Sequence, residues 1–240
     1  MPNRYTPHPM IEYDSITVRM HRQTLFEGAT LTIGEGEKVV VRGASGSGKS
    51  SLLKCAVGAI PLAAGSVRVA GMLLSAATVA GIRARIAFIG QEPVLGAERV
   101  GDALLLPFTF KAHRHNRPGD ERVRELLAQL HLPPDILEQS CARISGGEKQ
   151  RIAIIRALLL NKTIFLADEV TSALDPASRS AVMEKLFSPG ITLLSVSHDP
   201  EWINGCDRIV EIEDKQLKDG PADPSIAERE PATLTRKEDA

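Results

Sequence analysis

A glycine-rich octapeptide at residues 43–50 constrains this chain more than any other feature, because it fits the pattern G-x-x-x-x-G-K-[ST] in full. An apolar run at residues 39–41 predicts a buried strand before it, and residues 51–57 predict a helix after it. In that setting the glycines let backbone N–H groups turn onto phosphate oxygens, and the helix presents its positive N-terminal end to the same anion. A chance glycine-rich turn, the alternative, does not account for the flanking strand and helix.

The side chains of this loop define its predicted chemistry. Lys49 is expected to reach the β- and γ-phosphates of a nucleotide, and the Ser50 hydroxyl is expected to ligate Mg²⁺. The predicted nucleotide-binding residues are Gly43, Ala44, Ser45, Gly46, Ser47, Gly48, Lys49, Ser50 and Ser51.

A second group of candidate residues follows an apolar run at residues 163–167, which predicts another buried strand. Asp168 and Glu169 come at its C-terminal end, where ligands bind in open α/β sheets. We expect Asp168 to hold Mg²⁺, directly or through water, and Glu169 to polarise the attacking water. An isolated Asp-Glu pair is also typical of a helix cap, so this interpretation depends on the phosphate loop.

The third candidate motif is the heptapeptide Ser145-Gly-Gly-Glu-Lys-Gln-Arg151. Ser145 and Glu148 have the spacing of a capping box, which predicts the start of a helix that continues through Leu159. A cap is one complete explanation. Two glycines, Gly146 and Gly147, are nevertheless poor residues for a first helical turn, and they are expected where a bulky anion approaches the exposed N–H groups.

The heptapeptide resembles the signature of the ATP-binding-cassette (ABC) ATPases, and further motifs occur in that family's order. Gln91 matches the Q-loop, residues 172–175 match the D-loop, and His198 matches the switch histidine. The resemblance covers residues 10–217. It implies that Gln91 contacts Mg²⁺ and the attacking water, that Asp175 lies at a dimer interface, and that His198 contacts the γ-phosphate.

Each of these three residues also has a purely structural interpretation. Gln91 could lie in a solvated turn, and His198 could be an isolated loop histidine. Asp175 followed by Pro176 is locally a helix start, with aspartate as N-cap and proline at the first helical position.

The resemblance implies an α/β fold, with a P-loop core, an N-terminal antiparallel β subdomain and an inserted α-helical subdomain. The N-terminal alternation of apolar and polar residues at 11–36 favours antiparallel strands, and helical spacing at residues 122–130 favours the insertion. We expect an ABC ATPase domain at residues 10–217, its helical subdomain at about 92–160, and a polar, disordered tail at 218–240.

The function implied by the resemblance is ATP hydrolysis coupled to transport, with ATP and Mg²⁺ as cofactors. Two subunits, identical or different, would sandwich ATP, and a separate integral membrane permease would be driven. The residues expected to cover the partner's ATP are Ser145, Gly146, Gly147 and Glu148. Since no signal peptide or membrane-spanning stretch is predicted, we expect a cytoplasmic protein held on the inner face of the membrane by its permease.

The sequence supports several cargo and function alternatives. Short strings that include Leu106-Pro107-Phe108 are similar to those of bacterial Fet/Ybb-type ATPases linked to iron export. An importer or a lipoprotein-system ATPase is an open alternative, as is a soluble ABC ATPase of DNA repair or translation. Sustained heptads and a second GKS are absent from the sequence, which disfavours the soluble types. A formal net charge of −1 gives no electrostatic footprint for nucleic acid.

Three residue sets have less specific signals. Three widely spaced cysteines argue against a disulfide framework or a zinc site. The family's adenine-stacking aromatic is replaced by Met20 and His21, with Tyr13 earlier in a predicted strand. The basic run at residues 111–117 contains a His-x-His pair, for which a solvated loop is favoured over a metal site.

Overall fold

A computed structural model of the chain describes residues 9–20 and 23–219. The strands are β1 (Pro9–Met20), β2 (Gln23–Gly34), β3 (Lys38–Arg42), β4 (Ala64–Val69), β5 (Met72–Leu73), β6 (Ile86–Ile89), β7 (Ile164–Asp168), β8 (Thr192–Val196), β9 (Arg208–Glu213) and β10 (Gln216–Asp219). The helices are α1 (Lys49–Ala56), α2 (Val79–Arg83), α3 (Val100–Leu105), α4 (Asp120–Gln129), α5 (Gly146–Leu159), α6 (Pro176–Leu186) and α7 (Pro200–Gly205). Short 3₁₀ turns occupy Leu106–Thr109, Arg114–Asn116 and Pro134–Glu138.

The N-terminal strands form a four-stranded antiparallel sheet in the order β2-β1-β4-β5. β1 is central because it pairs on both sides, with Tyr13 opposite Leu31 of β2 and Val67 of β4. Buried residues alternate with exposed ones along β2, as expected for a sheet with one face on the core. The predicted antiparallel subdomain is therefore confirmed, and β4 and β5 complete it.

A second sheet of six strands has the order β10-β9-β3-β8-β7-β6. β3 pairs in parallel with β8 and β9, and β7 pairs in parallel with β8 and β6. All five residues of β7 and of β8 are buried, because elements cover both faces of the sheet. This covering explains why the parallel strands read as continuous apolar runs in the sequence.

Alternate residues of β3 enter two separate cores. Val39 and Val41 point toward the first sheet and α1, where they join the cluster that contains Phe26. Val40 points the other way and joins the cluster that contains Trp202 and the helices between β6 and β7. The large sheet therefore separates the antiparallel part of the molecule from its helical part.

The segment between β6 and β7 is helical, with α3, α4, α5 and the three 3₁₀ turns. The apolar spacing that predicted α4 corresponds to its buried face, which consists of Val123, Leu126 and Leu127. α4 ends at Gln129, and His131 then takes a φ of 55°, so the helix ends before the prolines at 133–134. Within the described residues, no helix combines the length and apolar character that crossing a bilayer requires.

The C-terminal strand corrects the boundary expected at residue 217. β10 runs to Asp219 and pairs antiparallel with β9, so Lys218 and Asp219 belong to the sheet. Residues 220–240, the rest of the predicted tail, lie outside the described residues.

The three cysteines are free thiols, and burial raises the pKa of both Cys55 and Cys206 to about 12.

A buried hydrogen-bond chain joins α7, β8 and β3. Trp202 donates its indole N–H to the Ser195 hydroxyl over 2.9 Å, and that hydroxyl donates to the Val39 carbonyl over 3.1 Å. Ser195 is completely buried and Trp202 is 1% exposed, so water does not replace either bond. The chain attaches α7 to the middle of the large sheet.

Replacing Ser195 with alanine is expected to destabilise the protein by about 1–3 kcal/mol, because the Trp202 N–H would stay buried without its acceptor. Urea denaturation followed by fluorescence of the single tryptophan measures the change. The control is Ser180→Ala, which removes an exposed hydroxyl that donates to Pro176, and its effect should stay within about 0.5 kcal/mol. Equal denaturation midpoints for Ser195→Ala and wild type would contradict the prediction.

Candidate functional site

The candidate residues meet at one edge of the large sheet because its parallel strands all end there. The glycine-rich loop follows β3, Glu169 follows β7, His198 follows β8 by two residues, and Gln91 follows β6 by two. The carboxyl edge of an open parallel sheet is where such folds bind ligands. Strand direction alone therefore assembles four widely separated segments of the sequence.

The glycine-rich loop connects β3 to α1 through backbone conformations that glycine adopts readily. Gly43, Gly46 and Gly48 have φ values of 148°, 78° and 104°. A Cβ on Gly48 would lie 3.1 Å from the Phe26 ring, so the loop also packs closely on β2. The Lys49 ammonium donates to the carbonyls of Gly43 and Ala44 over 2.9 and 3.1 Å, which holds it within the curve of the loop.

Ser50 and Asp168 form the pair that fits a magnesium ion. The Ser50 hydroxyl donates to Asp168 Oδ1 over 3.0 Å, and Asp168 is only 4% exposed. Among the described residues there is no group of three or more histidine, cysteine or acidic side chains that could enclose a metal. Magnesium usually binds one or two protein oxygens together with substrate phosphates and water, and this pair beside a phosphate loop has that composition.

Glu169 lies between Gln91 and His198. Its Oε2 accepts a hydrogen bond from Gln91 Nε2 over 3.1 Å, and its Oε1 lies 3.9 Å from His198 Nε2. The backbone N–H of Glu169 donates to the Val196 carbonyl at the end of β8 over 2.9 Å. The residue has a φ of 48°, a conformation that costs a non-glycine residue roughly 1–3 kcal/mol. The Asp168 and Glu169 side chains thus serve different neighbours, as the sequence predicts.

A cavity of about 770 Å³ covers the loop and reaches Glu169. One wall comes from the first sheet, whose residues Gln23 and Leu25 line the cavity together with Ser50. Met20 also lines the cavity and accepts a weak hydrogen bond from Ser51 over 3.6 Å, whereas His21 lies outside the described residues. Tyr13 is buried and donates its hydroxyl to the Leu52 carbonyl over 3.0 Å, so it belongs to the core.

Two polar residues of α5 that the sequence analysis missed position the segment around Gln91. Gln150 is 2% exposed and contacts the Gly90 carbonyl over 3.5 Å. The Arg156 guanidinium donates to the carbonyls of Val94 and Leu95, each over 2.9 Å, and burial lowers its pKa. A sequence signal exists for Arg156, because it is the only charge in the apolar stretch 152–160 and must find partners.

The signature heptapeptide begins α5 with the predicted capping box. The Ser145 hydroxyl accepts from the Glu148 N–H over 3.2 Å, and the Glu148 carboxylate accepts from the Ser145 N–H over 2.7 Å. These hydrogen bonds from Ser145 lower the pKa of Glu148. Ser145 and Gly146 are exposed, and the residues of the heptapeptide are not among those that line the cavity over the glycine-rich loop.

The two signature glycines have different environments. A Cβ on Gly147 would lie 2.9 Å from the Ala173 carbonyl, whereas a Cβ on Gly146 would meet nothing within 4 Å. The close backbone contact is by itself a sufficient reason for glycine at 147, and the expectation that both glycines serve an approaching anion stays a prediction. Gly146 is the position where backbone exposure is the simpler explanation.

Asp175 is the N-cap of α6, as its local sequence predicts. Its carboxylate accepts from the Ser178 N–H over 3.0 Å and from the Ser178 hydroxyl over 2.6 Å. Those hydrogen bonds lower its pKa to about 2, so the carboxylate is ionised at neutral pH. Its side chain is 58% exposed and lies 3.4 Å from Arg151 of α5, away from the cavity.

The basic run at residues 111–117 has the solvated structure that was favoured. Arg114–Asn116 form a 3₁₀ turn with no buried residue, and His115 contacts only its neighbour Arg114 in the described hydrogen bonds.

Comparisons with known proteins agree with this geometry. A sequence model of the family described as "ABC transporter" matches residues 26–172. The energy-coupling factor transporter ATP-binding protein EcfA1 of Geobacillus kaustophilus is 32% identical over 211 residues, which are 84% of this chain and 75% of that protein. The probable iron export ATP-binding protein FetA of Escherichia coli is 29% identical over 209 residues, 85% and 92% of the two chains.

Solved structures give the same result. A dimeric ATP-binding cassette in a post-hydrolysis state, bound to ADP and Pi, superposes with a TM-score of 0.78 at 29% identity. The superposition covers 88% of this chain and 98% of that one.

The environments of the two signature glycines predict opposite responses to alanine. Gly147→Ala should lower stability by about 1–3 kcal/mol, because the new methyl group forces α5 away from the Ala173 carbonyl. Gly146→Ala should leave stability unchanged or raise it by up to about 1 kcal/mol, since alanine favours a helix and the site is open. Urea denaturation of both variants tests the contrast. Indistinguishable midpoints would show that the close contact at Gly147 is unimportant.

Proposed function

The chain belongs to the ABC transporter ATP-binding family and is an ATPase; from that premise we propose that it is the motor subunit of a transporter with a separate permease. The observation that carries the proposal is the meeting of Lys49, Asp168, Glu169, His198 and Gln91 at one sheet edge, beside a phosphate loop. Each of these residues supplies a function that phosphoryl transfer needs. Asp168 and Glu169 are adjacent, and the other three residues follow three different strands.

The phosphates of ATP bind against the backbone N–H groups of residues 43–51, and Lys49 neutralises the β- and γ-phosphates. Bound at Ser50 and Asp168, with Gln91 nearby, Mg²⁺ would neutralise charge on the phosphate oxygens. Glu169 accepts a proton from the attacking water. At the same time the water oxygen bonds to the γ-phosphorus, and the bond between the γ-phosphorus and the ADP oxygen breaks. Gln91 and His198 hold the Glu169 carboxylate and the γ-phosphate in place.

A second subunit completes the site. The exposed N-terminal end of α5 lies apart from this chain's own cavity, so an anion at Ser145, Gly146, Gly147 or Glu148 has to come from elsewhere. The γ-phosphate of a partner's ATP has the matching charge, and Asp175, whose exposed side chain lies 3.4 Å from Arg151 of the heptapeptide, would contact that partner. The dimeric form named for the solved relative supports this arrangement.

The proposed location and cargo are supported by resemblance to relatives rather than by the site. The motor acts on the inner face of the cytoplasmic membrane, where an integral permease holds it. We propose that the cargo is iron and that it is exported. The short sequences around Leu106 resemble those of Fet/Ybb-type ATPases, and the chain is similar to a probable iron export ATP-binding protein. The nucleotide site itself contains no group that would distinguish one cargo from another among the described residues.

Glu169→Gln is expected to separate ATP binding from hydrolysis. The change keeps the shape but removes the basic carboxylate, so phosphate release should fall about 10²–10⁴-fold. ATP binding should persist, because Lys49 and the loop are untouched. The ATP-bound dimer should then accumulate and be visible by size-exclusion chromatography with light scattering in ATP and Mg²⁺.

Lys49→Ala should instead lose ATP binding, because it removes the charge at the β- and γ-phosphates.

The dimer has its own control within the Glu169→Gln background. Ser145→Arg places a large side chain on the face that would cover the partner's ATP, and it should abolish the dimer. Ala128→Arg adds the same charge at an exposed position of α4 and should leave the dimer intact. Wild-type hydrolysis by Glu169→Gln would overturn the catalytic proposal, and a persistent dimer in the Ser145→Arg double variant would overturn the sandwich.

Attachment to the membrane should depend on the permease. Expressed alone, the chain should fractionate with the supernatant; co-expressed with its permease, it should sediment with membranes and co-elute in detergent. Lys49→Ala should co-elute equally well, because the change is confined to the phosphate loop. If the chain stays in the supernatant with every permease encoded beside it, the transport proposal fails while the ATPase activity stands.

A further inference from the structure

The loop that carries His198 is anchored by an ion pair to α6. Arg179 Nε lies 2.7 Å from Asp199 Oδ2, and Asp199 is the residue directly after His198. The Arg179 side chain is 28% exposed and the Asp199 side chain 11%, so the pair is more protected from water than an ordinary surface ion pair. A second contact joins Arg179 Nη1 to Glu201 over 3.8 Å.

The Asp199 carboxylate makes two different connections with its two oxygens. Oδ1 accepts from the Glu201 N–H over 3.0 Å and caps α7, while Oδ2 faces Arg179. The Asp199 N–H in turn donates to the Ser197 hydroxyl over 3.1 Å. His198 is therefore flanked by residues fixed at Ser197 and Asp199, although its own side chain is 61% exposed.

The backbone of Arg179 lies in the first turn of α6. The Arg179 N–H donates to the Asp175 carbonyl over 2.9 Å in the first turn of α6. Arg179, Glu169 and His198 line one cavity of about 250 Å³, so Arg179 lies beside the site. The Arg179 side chain thus connects α6 to the residue that directly follows His198.

We propose that Arg179 is a positioning residue for ATP hydrolysis, which orients His198 through its ion pair with Asp199. The proposal rests on the proposed function, because the orientation of His198 matters only if His198 contacts the γ-phosphate. Geometry errors near 1 Å in a catalytic group typically cost up to 100-fold in rate, so loss of this anchor should reduce turnover without removing the phosphate loop's affinity.

The first test compares two ways of breaking the pair. Arg179→Met keeps the length of the side chain and removes its charge; Asp199→Asn keeps a good helix cap and removes the charge of the partner. Each should lower kcat about 10-fold and leave the KM for ATP within about 2-fold. Arg122→Met, which breaks an exposed ion pair of α4, is the matched control and should hydrolyse ATP at the wild-type rate.

The second test asks whether Arg179 acts through His198. In a His198→Ala background, Arg179→Met should change the remaining rate by less than about 2-fold, because the group it positions is gone. A merely structural role would give the same 10-fold loss in both backgrounds and would overturn the proposal. Arg179→Lys, which restores the charge without the planar fork, should recover part of the lost kcat.

The outcomes separate this inference from the function on which it rests. An impaired His198→Ala beside a normal Arg179→Met overturns the inference alone. Wild-type turnover by His198→Ala overturns the assigned role of His198 and the inference with it. If Arg179→Met does not fold, the same cycle is run with Asp199→Asn, whose cap is retained, and the same two results decide it.

Discussion

The parallel register of the central strands is the constraint on which the site depends. Asp168 pairs with Val196, and Val196 pairs with Val41, so β7, β8 and β3 end level with one another. Glu169 can therefore donate its N–H to Val196, and the glycine-rich loop begins two residues after Val41. A one-residue slip in either pairing would turn alternate side chains to the opposite face and separate Asp168 from Ser50.

Features set by a few neighbouring residues could be predicted from the sequence. The glycine-rich loop between strand and helix, the capping box of Ser145 and Glu148, and the aspartate N-cap before Pro176 all occur as expected. Each depends on backbone groups within about one helical turn, so local spacing carries the information. The buried strands were equally predictable, because strands covered on both faces are mostly apolar.

Features set by distant partners could not be predicted in this way. Gln23 and Leu25 form a wall of the nucleotide cavity only because the first sheet packs beside the loop, and β2 has no local sign of that position. The close approach of the Ala173 carbonyl to Gly147 joins residues 26 positions apart in the sequence, so local spacing does not reveal it. β10 has a polar sequence, and its structure comes from pairing with β9 rather than from composition, which explains the misplaced boundary at 217.

Short contacts connect the exposed motifs with the residues proposed to act in catalysis. The close contact at Gly147 and the proximity of Arg151 to Asp175 and Ser178 hold the N-terminal ends of α5 and α6 together. We therefore expect a displacement of one motif to be transmitted to the other. Because Arg179 of α6 forms an ion pair with Asp199, such a displacement would reach the residue next to His198 through a direct polar contact.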